Sequence, residues 1–472
     1  PGKRRQGIPG VRGNGQVAGC PVWKNRSGKG FIFCAAMMLF DDHCLVRLVV
    51  VLLLAAASSA YDVCVVGGGM SGLATALELS RRGRRCVVLS KDLAASATRA
   101  AGGMLAPQAE RLEAGPLLDL CWEARAEWPA FAETLVKGPT VRSVGGFVSP
   151  SLNVEDSVWK WTEPPRPPAE WLDKEALVAM EPALGGANVV GGWWYPLDTS
   201  VDPVEAQRSL LETCRVEGNV DVRLDVDVVG VDLDEDRCLG VRLATGEAIK
   251  AESFCLANGA WLRSLLPIPV TPQKGQMLRL SPPSSRGSSA HSGGPDRVVY
   301  GAKAYLIPRG DDLVVGATVE DDFATSDSDV GGVLKLLNAA TELCPGLAKW
   351  TLQDSWAGLR PATLDGDPVL GGTRWSNLYV AGGYWRNGIL LAPRAARLIA
   401  DAMDGTLSTK DQAYLDHFAW DRFFFNNKQK KKGVAEEEKK THAAAAAAAE
   451  RVAALREDHS AAAQKKTTTG TT

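Results

Sequence analysis

The chain has 472 residues and a formal net charge of −2. This length suffices for two or three domains, and the nearly neutral charge gives no electrostatic reason to expect nucleic-acid binding. The 10 cysteines are scattered without a Cys-x-x-Cys pair, so we expect neither a disulfide framework nor a bound metal. Of the 5 histidines, two (His291 and His417) lie in the expected folded body. This composition disfavours a mechanism that needs a histidine base.

Residues 1–60 differ in composition from the rest of the chain. Residues 1–36 are rich in glycine, lysine and arginine, and Met37 or Met38 could serve as the start of translation. The apolar run 48–57 is too short to span a membrane, and it ends in small residues, as a cleavable targeting peptide does. We therefore expect 1–60 to be a leader. The alternatives are untranslated upstream sequence for 1–36 and a hydrophobic N-terminal strand for the apolar run.

The first folded unit is predicted at 61–90. The short apolar runs 63–66 and 86–89 are typical of buried strands, and the spacing of apolar residues over 73–81 predicts a helix between them. A strand, a glycine-rich turn, a helix and a second strand in about 30 residues indicate a dinucleotide-binding fold.

The turn of this unit contains the pattern Gly67-x-Gly69-x-x-Gly72. Gly67 permits a tight turn, Gly69 lets the backbone approach a pyrophosphate, and Gly72 lets the helix pack closely on the sheet. The phosphates would bind free N–H groups at the helix N-terminus, around Met70 and Ser71. The alternative is a glycine turn that binds nothing.

The end of the second strand departs from the usual pattern, in which an acidic residue holds a ribose hydroxyl. Ser90 occupies that position and would bind a ribose more weakly, while Asp92 is two residues out of register. The following segment, 96–107, is rich in small residues, which suits either a chain running close beside a flat cofactor or a tight helix-packing loop. Its predicted cofactor contacts are Ala101, Gly102, Gly103 and Met104.

The middle of the chain alternates between helical and strand patterns. A helix start with proline at its first position is expected at Asp202-Pro203. Val228 in a strand run, and Gly259 and Trp261 at a glycine turn, are further predicted cofactor contacts. The expected elements are helices at 116–137, 203–217 and 331–343, strands at 144–148, 220–231 and 239–243, and a hairpin of 300–308 with 313–319. The tail from Asn426 is of low complexity.

A second informative segment is 386–393, Arg-Asn-Gly-Ile-Leu-Leu-Ala-Pro. A strand ends just before it, and Pro393 is expected in the first turn of a helix. The N–H groups of 388–391 would then point outward and stabilise the negative charge of a reduced flavin. The alternative is an ordinary junction between a strand and a helix. The predicted cofactor contacts here are Gly383, Asn387, Gly388, Ile389 and Leu390.

Two arginines, Arg360 and Arg386, are flanked by glycine and apolar residues. A guanidinium in such surroundings needs an anion to offset its desolvation, and a substrate carboxylate held by paired hydrogen bonds would serve. Tyr305 could add a hydroxyl to the same carboxylate. The alternative is an internal ion pair with Asp365 or Asp367.

At these residues the chain resembles the glycine oxidase branch of the FAD-dependent D-amino acid oxidase family, over about 61–410. The resemblance rests on the glycine turn at 65–69, on Ala-Gly-Gly-Met-Leu-Ala-Pro at 101–107, on Trp-Ala-Gly-Leu-Arg-Pro at 356–361 and on the 386–393 segment. It implies that Arg360 binds the substrate carboxylate, that Tyr305 assists, and that Arg386 lines the same pocket. Two departures are Ser90 and the sequence Gly383-Tyr384-Trp385, where the family usually has Gly-His before the aromatic residue.

The resemblance implies an α/β fold with a Rossmann-type FAD-binding domain and a second, mostly antiparallel substrate domain. The implied FAD-binding pieces are 61–142, 193–264 and 355–410, the substrate-domain pieces are 143–192 and 265–354, and 411–472 is a C-terminal extension.

The implied reaction is oxidation of glycine to iminoacetate with O2 reduced to hydrogen peroxide, which would supply the thiazole of thiamin. The alternatives are a sarcosine or D-amino acid oxidase, and a flavin-binding protein without turnover. Expected partners are the small substrate and O2, with a homo-oligomer and a link to thiazole synthase as further expectations. No nucleic acid and no membrane span of the mature chain are expected. The leader and the thiamin link indicate a plastid, and the secretory pathway and the cytoplasm are the alternatives.

Overall fold

A computed structural model describes residues 60–142, 145–153, 155–156, 168–283, 293–321 and 325–424. The predicted leader up to residue 59 and the low-complexity tail lie outside these residues, as do parts of the loops around residues 160 and 287. Within the described residues, none of the helices has the length and apolar character required to cross a bilayer.

The chain alternates strands and helices through its first half and is richer in strands in its second. The strands are β1 (Tyr61–Val66), β2 (Cys86–Ser90), β3 (Met104–Leu105), β4 (Phe147–Ser151), β5 (Glu170–Asp173), β6 (Gly191–Tyr195), β7 (Thr199–Ser200), β8 (Val220–Leu224), β9 (Val228–Leu233), β10 (Cys238–Leu243), β11 (Ala248–Ile249), β12 (Ala251–Leu256), β13 (Thr271–Ser281), β14 (Val298–Tyr300), β15 (Tyr305–Arg309), β16 (Asp312–Gly316), β17 (Thr351–Ala362), β18 (Val369–Gly372) and β19 (Leu378–Gly382). The helices are α1 (Met70–Arg81), α2 (Ala97–Ala100), α3 (Pro116–Glu133), α4 (Lys174–Met180), α5 (Pro203–Val216), α6 (Val330–Leu343), α7 (Gly388–Asp404) and α8 (Thr409–His417), with short 3₁₀ helices at Pro182–Leu184, Gly259–Ser264, Pro345–Lys349 and Trp420–Phe423.

The first sheet has the strand order β18-β19-β12-β1-β2-β8 and is parallel except for the edge strand β18. β1 is apolar on both faces because both faces are covered. Val63 and Val65 pack in a core with α1, α3 and α7. Cys64 and Val66 pack on the other side, in a core with the small sheet β9–β11. This is the predicted Rossmann-type arrangement.

The second sheet has the order β17-β13-β16-β15-β14-β4-β6-β5, and every neighbouring pair is antiparallel except β14 with β4. Helix α6 packs on it through buried leucine and alanine side chains. The predicted hairpin is confirmed as β15 and β16, which are joined across the turn at Gly310. The predicted fold class, with one Rossmann-type and one mostly antiparallel region, is therefore confirmed.

Two of the predicted domain boundaries fall inside strands of the second sheet. Trp193 of β6 pairs with Ser149, and Leu359 of β17 pairs with Lys274. Residues 193–195 and 355–362 therefore belong to the antiparallel region, not to the FAD-binding region as predicted. Composition could not locate the boundary at 355 because β17 is one continuous strand of 12 residues that runs across it.

Candidate active site

One extended cavity of about 630 Å³ lies at the carboxyl ends of the parallel strands and continues to the antiparallel sheet. Its wall contains the turn after β1, the end of β2, the segment 100–104, and the N-terminus of α7. At the other end the wall is formed by side chains of β15 and β17, including Tyr305 and Arg360. Ligands of open α/β sheets bind at this edge of the sheet, so the cavity is the candidate site.

The glycines after β1 are required by close backbone contacts. Gly67 has φ +117°, and a Cβ added there would lie 2.3 Å from the carbonyl oxygen of Ala257. A Cβ at Gly72 would lie 1.9 Å from the carbonyl oxygen of Gly67, although Gly72 is not in the cavity wall. At Gly69, which is in the wall, the nearest protein atom would be Thr98 Oγ1 at 3.5 Å. Gly67 and Gly72 therefore shape the turn, whereas Gly69 leaves space open for a ligand.

Helix α1 presents its N-terminus to the cavity without a capping side chain of its own. Its N-cap residue is Gly69, which offers no side-chain acceptor, and its first turn has no acidic residue. The Met70 N–H donates to Thr98 Oγ1 at 3.0 Å. The Ser71 hydroxyl bonds the Tyr384 hydroxyl at 2.9 Å and thereby links the two glycine-rich segments. A bound phosphate would supply the negative charge that this N-terminus lacks.

Helix α7 presents a second N-terminus, where the prediction for Pro393 is wrong. The helix begins at Gly388, and its first internal bond runs from Leu391 N–H to Asn387 O at 2.8 Å. Pro393 therefore lies inside the helix, where it has no N–H for the Ile389 carbonyl. Trp128 Nε1 donates to that carbonyl at 3.1 Å and to the Leu390 carbonyl at 3.0 Å, and so replaces the missing bond in part. The N–H groups of the first turn remain free of helix partners, as expected.

The wall near β2 contains the predicted Ser90, which is buried. A Cβ at Gly68 would lie 2.7 Å from Ser90 Oγ, so the hydroxyl packs directly against the glycine turn. Asp92 does not replace the missing acidic residue, because its Oδ1 accepts the N–H groups of Ala94 (2.7 Å) and Ala95 (3.2 Å) in its own loop.

Nearly all the other predicted cofactor contacts lie in the cavity wall. The exception is Gly383, which has φ +67° and packs against Thr363, so its role is in the turn. Placed in the wall are Ala101, Gly102, Gly103, Met104, Val228, Gly259, Trp261, Asn387, Gly388, Ile389 and Leu390.

Arg360 lies at the other end of the cavity, on β17. Its guanidinium rests against Gly275, where a Cβ would lie 2.2 Å from Nη1. Nη1 donates to the carbonyl oxygens of Thr318 (3.0 Å) and Lys274 (3.3 Å), and Tyr305 is a further hydrogen-bond partner. Burial lowers the pKa of Arg360. Among the described residues no carboxylate pairs with it, so the site provides a cation without its anion.

Arg386 differs from Arg360 because it has an internal partner that the sequence did not reveal. Its Nη2 lies 3.0 Å from Glu110 Oε2 and donates to the Tyr300 hydroxyl at 2.8 Å. Burial raises the pKa of Glu110, and the charge of Arg386 opposes that shift. Arg386 does line the cavity with Arg360, as predicted, but its charge is balanced there.

The alternative ion pairs considered from the sequence are not formed. Asp365 binds Arg422 at 2.9 Å, and Asp367 lies 3.0 Å from His417. Both carboxylates are thus engaged by the C-terminal segment that follows α7.

Trp385 fixes the loop between β19 and α7. It has φ +49°, a left-handed conformation that is uncommon for a bulky residue and is typical of functional sites. Its N–H donates to Pro361 O at 2.9 Å, and Nε1 donates to Gln273 Oε1 at 2.6 Å. These bonds tie the start of α7 to β17 and β13 and so set Arg386 beside Arg360.

The chain is similar to known proteins over the same region. The family described as DAO, FAD dependent oxidoreductase, matches residues 62–402. The chain belongs to this family. A bifunctional protein ThiO/ThiG of Nostoc sp. (strain PCC 7120) is 40% identical over 367 residues, which cover 76% of this chain and 55% of that protein. The chain thus spans about half the length of the first of its curated relatives.

Proteins of matching length are also similar. A glycine oxidase of Geobacillus kaustophilus (strain HTA426) is 31% identical over 366 residues, which cover 73% of this chain and 93% of that protein. The crystal structure of glycine oxidase from Geobacillus kaustophilus superposes with a TM-score of 0.70 and 28% identity, covering 77% of this chain and 98% of that one. The predicted family and the predicted cofactor FAD are confirmed.

The described residues fit FAD. Two helix N-termini without capping side chains of their own face one cavity, and the glycine turn leaves room for a pyrophosphate. Asn258 in the same wall has a buried Oδ1 without a hydrogen-bond partner among the described residues. Such an orphaned acceptor is satisfied when a ligand donates to it. FAD, when bound, supplies the acceptor for two electrons.

Proposed function

We propose that this protein is an FAD-dependent oxidase that converts glycine, or a similarly small amino acid, to its imine. The single observation that carries the proposal is Arg360, a partly buried guanidinium in the cavity wall with no carboxylate partner among the described residues. An unpaired cation in such a place is costly unless the ligand brings the anion. A substrate carboxylate supplies it.

The two arginines would divide the work of substrate binding. Arg360 and the Tyr305 hydroxyl bind the carboxylate, and Glu110 neutralises Arg386, so one net positive charge meets one carboxylate. Arg386 stacks over Trp385, with the guanidinium carbon 5.6 Å from the ring centroid, and both side chains line the cavity beside Arg360. The residues thereby orient the substrate Cα, which is how they would contribute to rate.

The reaction balances without a protein base. The amine form of the substrate loses a hydride from Cα and a proton from nitrogen, giving the imine; O2 takes up two electrons and two protons to give hydrogen peroxide. The imine of glycine then reacts onward or hydrolyses to glyoxylate. Glycine is favoured over larger amino acids because relatives of matching length are named glycine oxidases.

We also propose that the imine is passed to thiazole synthase in thiamin synthesis. The support is that relatives at 38–40% identity are bifunctional ThiO/ThiG proteins, of which this chain matches about half. A homo-oligomer and a plastid location stay predictions, the latter based on the leader and on the thiamin link.

The proposed function is tested with the full chain, by recording its visible spectrum and adding glycine with and without air. A flavin spectrum that bleaches without oxygen, together with peroxide formation in air, is the expected result. If the protein binds flavin and is inactive on glycine but active on sarcosine or D-alanine, that amine replaces glycine as the proposed substrate. A flavin spectrum without peroxide from any of the three would overturn the oxidase assignment in favour of a binding protein.

A further inference from the structure

A second cavity, of about 440 Å³, meets the substrate end of the first. The two cavities share the side chains of Tyr305, Arg360 and Arg386 in their walls. The glycine turns at Gly67–Gly69 and the first turn of α7 line the first cavity and are not in the wall of the second. The second cavity thus reaches the carboxylate anchor without touching the parts of the wall that fit FAD.

The rim of the second cavity is exposed, whereas its floor is not. Ala302, Lys303 and Lys335 are exposed, and Val319 is 51% exposed. At the floor, Tyr305 is 9% exposed. The cavity is therefore a funnel in the sense that it is open to solvent at its rim and closed at its floor, near the arginines.

The lining of this funnel is positively charged. It contains Lys303, Lys335, Arg360 and Arg386, and no aspartate or glutamate is among its described lining residues. Lys303 pairs with Glu342 at 2.8 Å, whereas Lys335 has no carboxylate partner among the described residues. A cleft lined by one sign of charge attracts the opposite charge, here the carboxylate of a substrate.

The division between the two cavities is made by side chains. The Tyr305 ring stacks on Tyr300 at 6.2 Å between centroids, and its hydroxyl donates to Met277 Sδ at 3.3 Å. A thioether is a weak acceptor, so the ring is held mainly by Arg360 and by its packing against Gly102 and Gly316. Displacement of this one side chain would join the cavities.

We propose that this second cavity is the passage by which the anionic end of the substrate enters and the imine leaves while FAD occupies the first cavity. The inference rests on the proposed function, because it needs a carboxylate ligand at Arg360. A passage differs from a binding subsite in a measurable way. Obstructing a passage slows association and dissociation by the same factor and leaves the dissociation constant unchanged, since the bound state is the same.

The test follows binding of glycolate, which has a hydroxyl in place of the amine of glycine, by stopped-flow perturbation of the flavin spectrum. Ala302→Trp places a large ring at the rim. We expect both rate constants to fall on the order of tenfold, with the dissociation constant within about twofold of wild type. Lys335→Glu should lower both rates about threefold or more at low salt, and the effect should disappear near 1 M salt.

Matched controls are Ala348→Trp and Lys250→Glu, which make the same changes at exposed positions outside both linings. Wild-type rates in Ala302→Trp, or a changed dissociation constant with unchanged dissociation rate, would overturn the passage. Turnover of glycine by the wild type is measured first. Its absence would refute the proposed function, whereas a wild type that turns over and variants without a rate effect would refute the passage alone.

Discussion

The two ends of the main cavity are built by different means. The end that fits FAD is mostly backbone, with Gly67 and Gly69 after β1 and two helix N-termini facing the ligand. The end that fits the substrate is mostly side chains, with Arg360 beside Tyr305 and Arg386 paired with Glu110. Both ends combine distant segments: Ser71 bonds Tyr384 across 313 residues at the first end, and Arg386 bonds Glu110 across 276 residues at the second.

This difference determines how each end can fail. A backbone site tolerates many side chains but is sensitive to an added Cβ at a close contact. A side-chain site depends on which charges are paired, and removal of one partner leaves the other unpaired. Substitutions at the two ends should therefore separate folding from FAD binding, and FAD binding from turnover.

The largest effect is expected at Gly72. A Cβ there would lie 1.9 Å from the carbonyl oxygen of Gly67, so Gly72→Ala should prevent close packing of α1 on the sheet. We expect no soluble, yellow protein. Gly69→Ala should fold with a normal thermal midpoint, since its Cβ meets only Thr98 Oγ1 at 3.5 Å, but should bind FAD at least about tenfold more weakly because the methyl group projects into the phosphate space.

Circular dichroism, the thermal midpoint of the apoprotein and FAD titration separate these outcomes. Gly83→Ala is the control, because Gly83 lies in the same unit, between α1 and β2, and a Cβ there would meet no atom within 4 Å. Its φ of +86° should cost some stability without affecting FAD affinity. Full FAD affinity in Gly69→Ala would show that the pyrophosphate does not approach this glycine.

The next largest effect is expected at the substrate end. Arg360→Leu should retain FAD but lower kcat/KM for glycine by about 10²–10³, equivalent to about 3–4 kcal/mol, because the substrate carboxylate loses its partner. The matched control is Arg279→Leu on β13, whose guanidinium stacks over Trp356 outside the cavity wall. Unchanged kinetics in Arg360→Leu would contradict the carboxylate anchor.

Sequence reasoning assigned Arg360 and Arg386 the same need for an anion, and the structure separates them. The spacing of glycines predicted the turn after β1 because the three glycines lie within six residues and Gly72 packs against the carbonyl of Gly67 itself. Glu110, the partner of Arg386, carried no local signal, because the pair forms only when α7 packs near the segment that follows β3. The same holds for Trp128, although a proline inside a predicted helix indicates that some donor must satisfy the carbonyl four residues earlier.

The hydrogen bonds of Trp128 stabilise the first turn of α7, which lines the FAD end of the cavity. Trp128→Phe removes the donor shared by the Ile389 and Leu390 carbonyls and should lower the free energy of unfolding by about 1–3 kcal/mol. In a Pro393→Ala background the new N–H can bond that carbonyl, so the same change should cost about 1 kcal/mol less. Urea unfolding of the four proteins gives the coupling, which also cancels the loss of ring volume common to both backgrounds. Additive effects would mean that the indole nitrogen does not replace the missing bond.

The smallest effect is expected at the ion pair between Lys274 and Asp329, which adjoins Arg360. Lys274, whose carbonyl accepts from Arg360, donates through Nζ to Asp329 at 2.8 Å, and Asp329 Oδ1 also accepts from Gly332 N–H at the start of α6. The hydrogen bond from Lys274 holds the pKa of Asp329 at about 2, below its ordinary value of 3.8. The stability that this ion pair contributes is therefore present above about pH 4 and is lost as the pH falls toward 2.

Asp329→Ser keeps an N-cap oxygen and removes the charge, so its deficit against wild type should be largest at pH 6 and should shrink between pH 4 and pH 2, as measured by urea midpoints. Asp173→Ser is the control, because Asp173 caps α4 in the same way and has no basic partner among the ion pairs of the described residues. Its deficit should change less over that interval. If the deficit in urea midpoint changes equally in both variants between pH 4 and pH 2, the pH dependence comes from helix capping alone. The ion pair between Lys274 and Asp329 would then add nothing to the position of the Lys274 carbonyl, which accepts from Arg360.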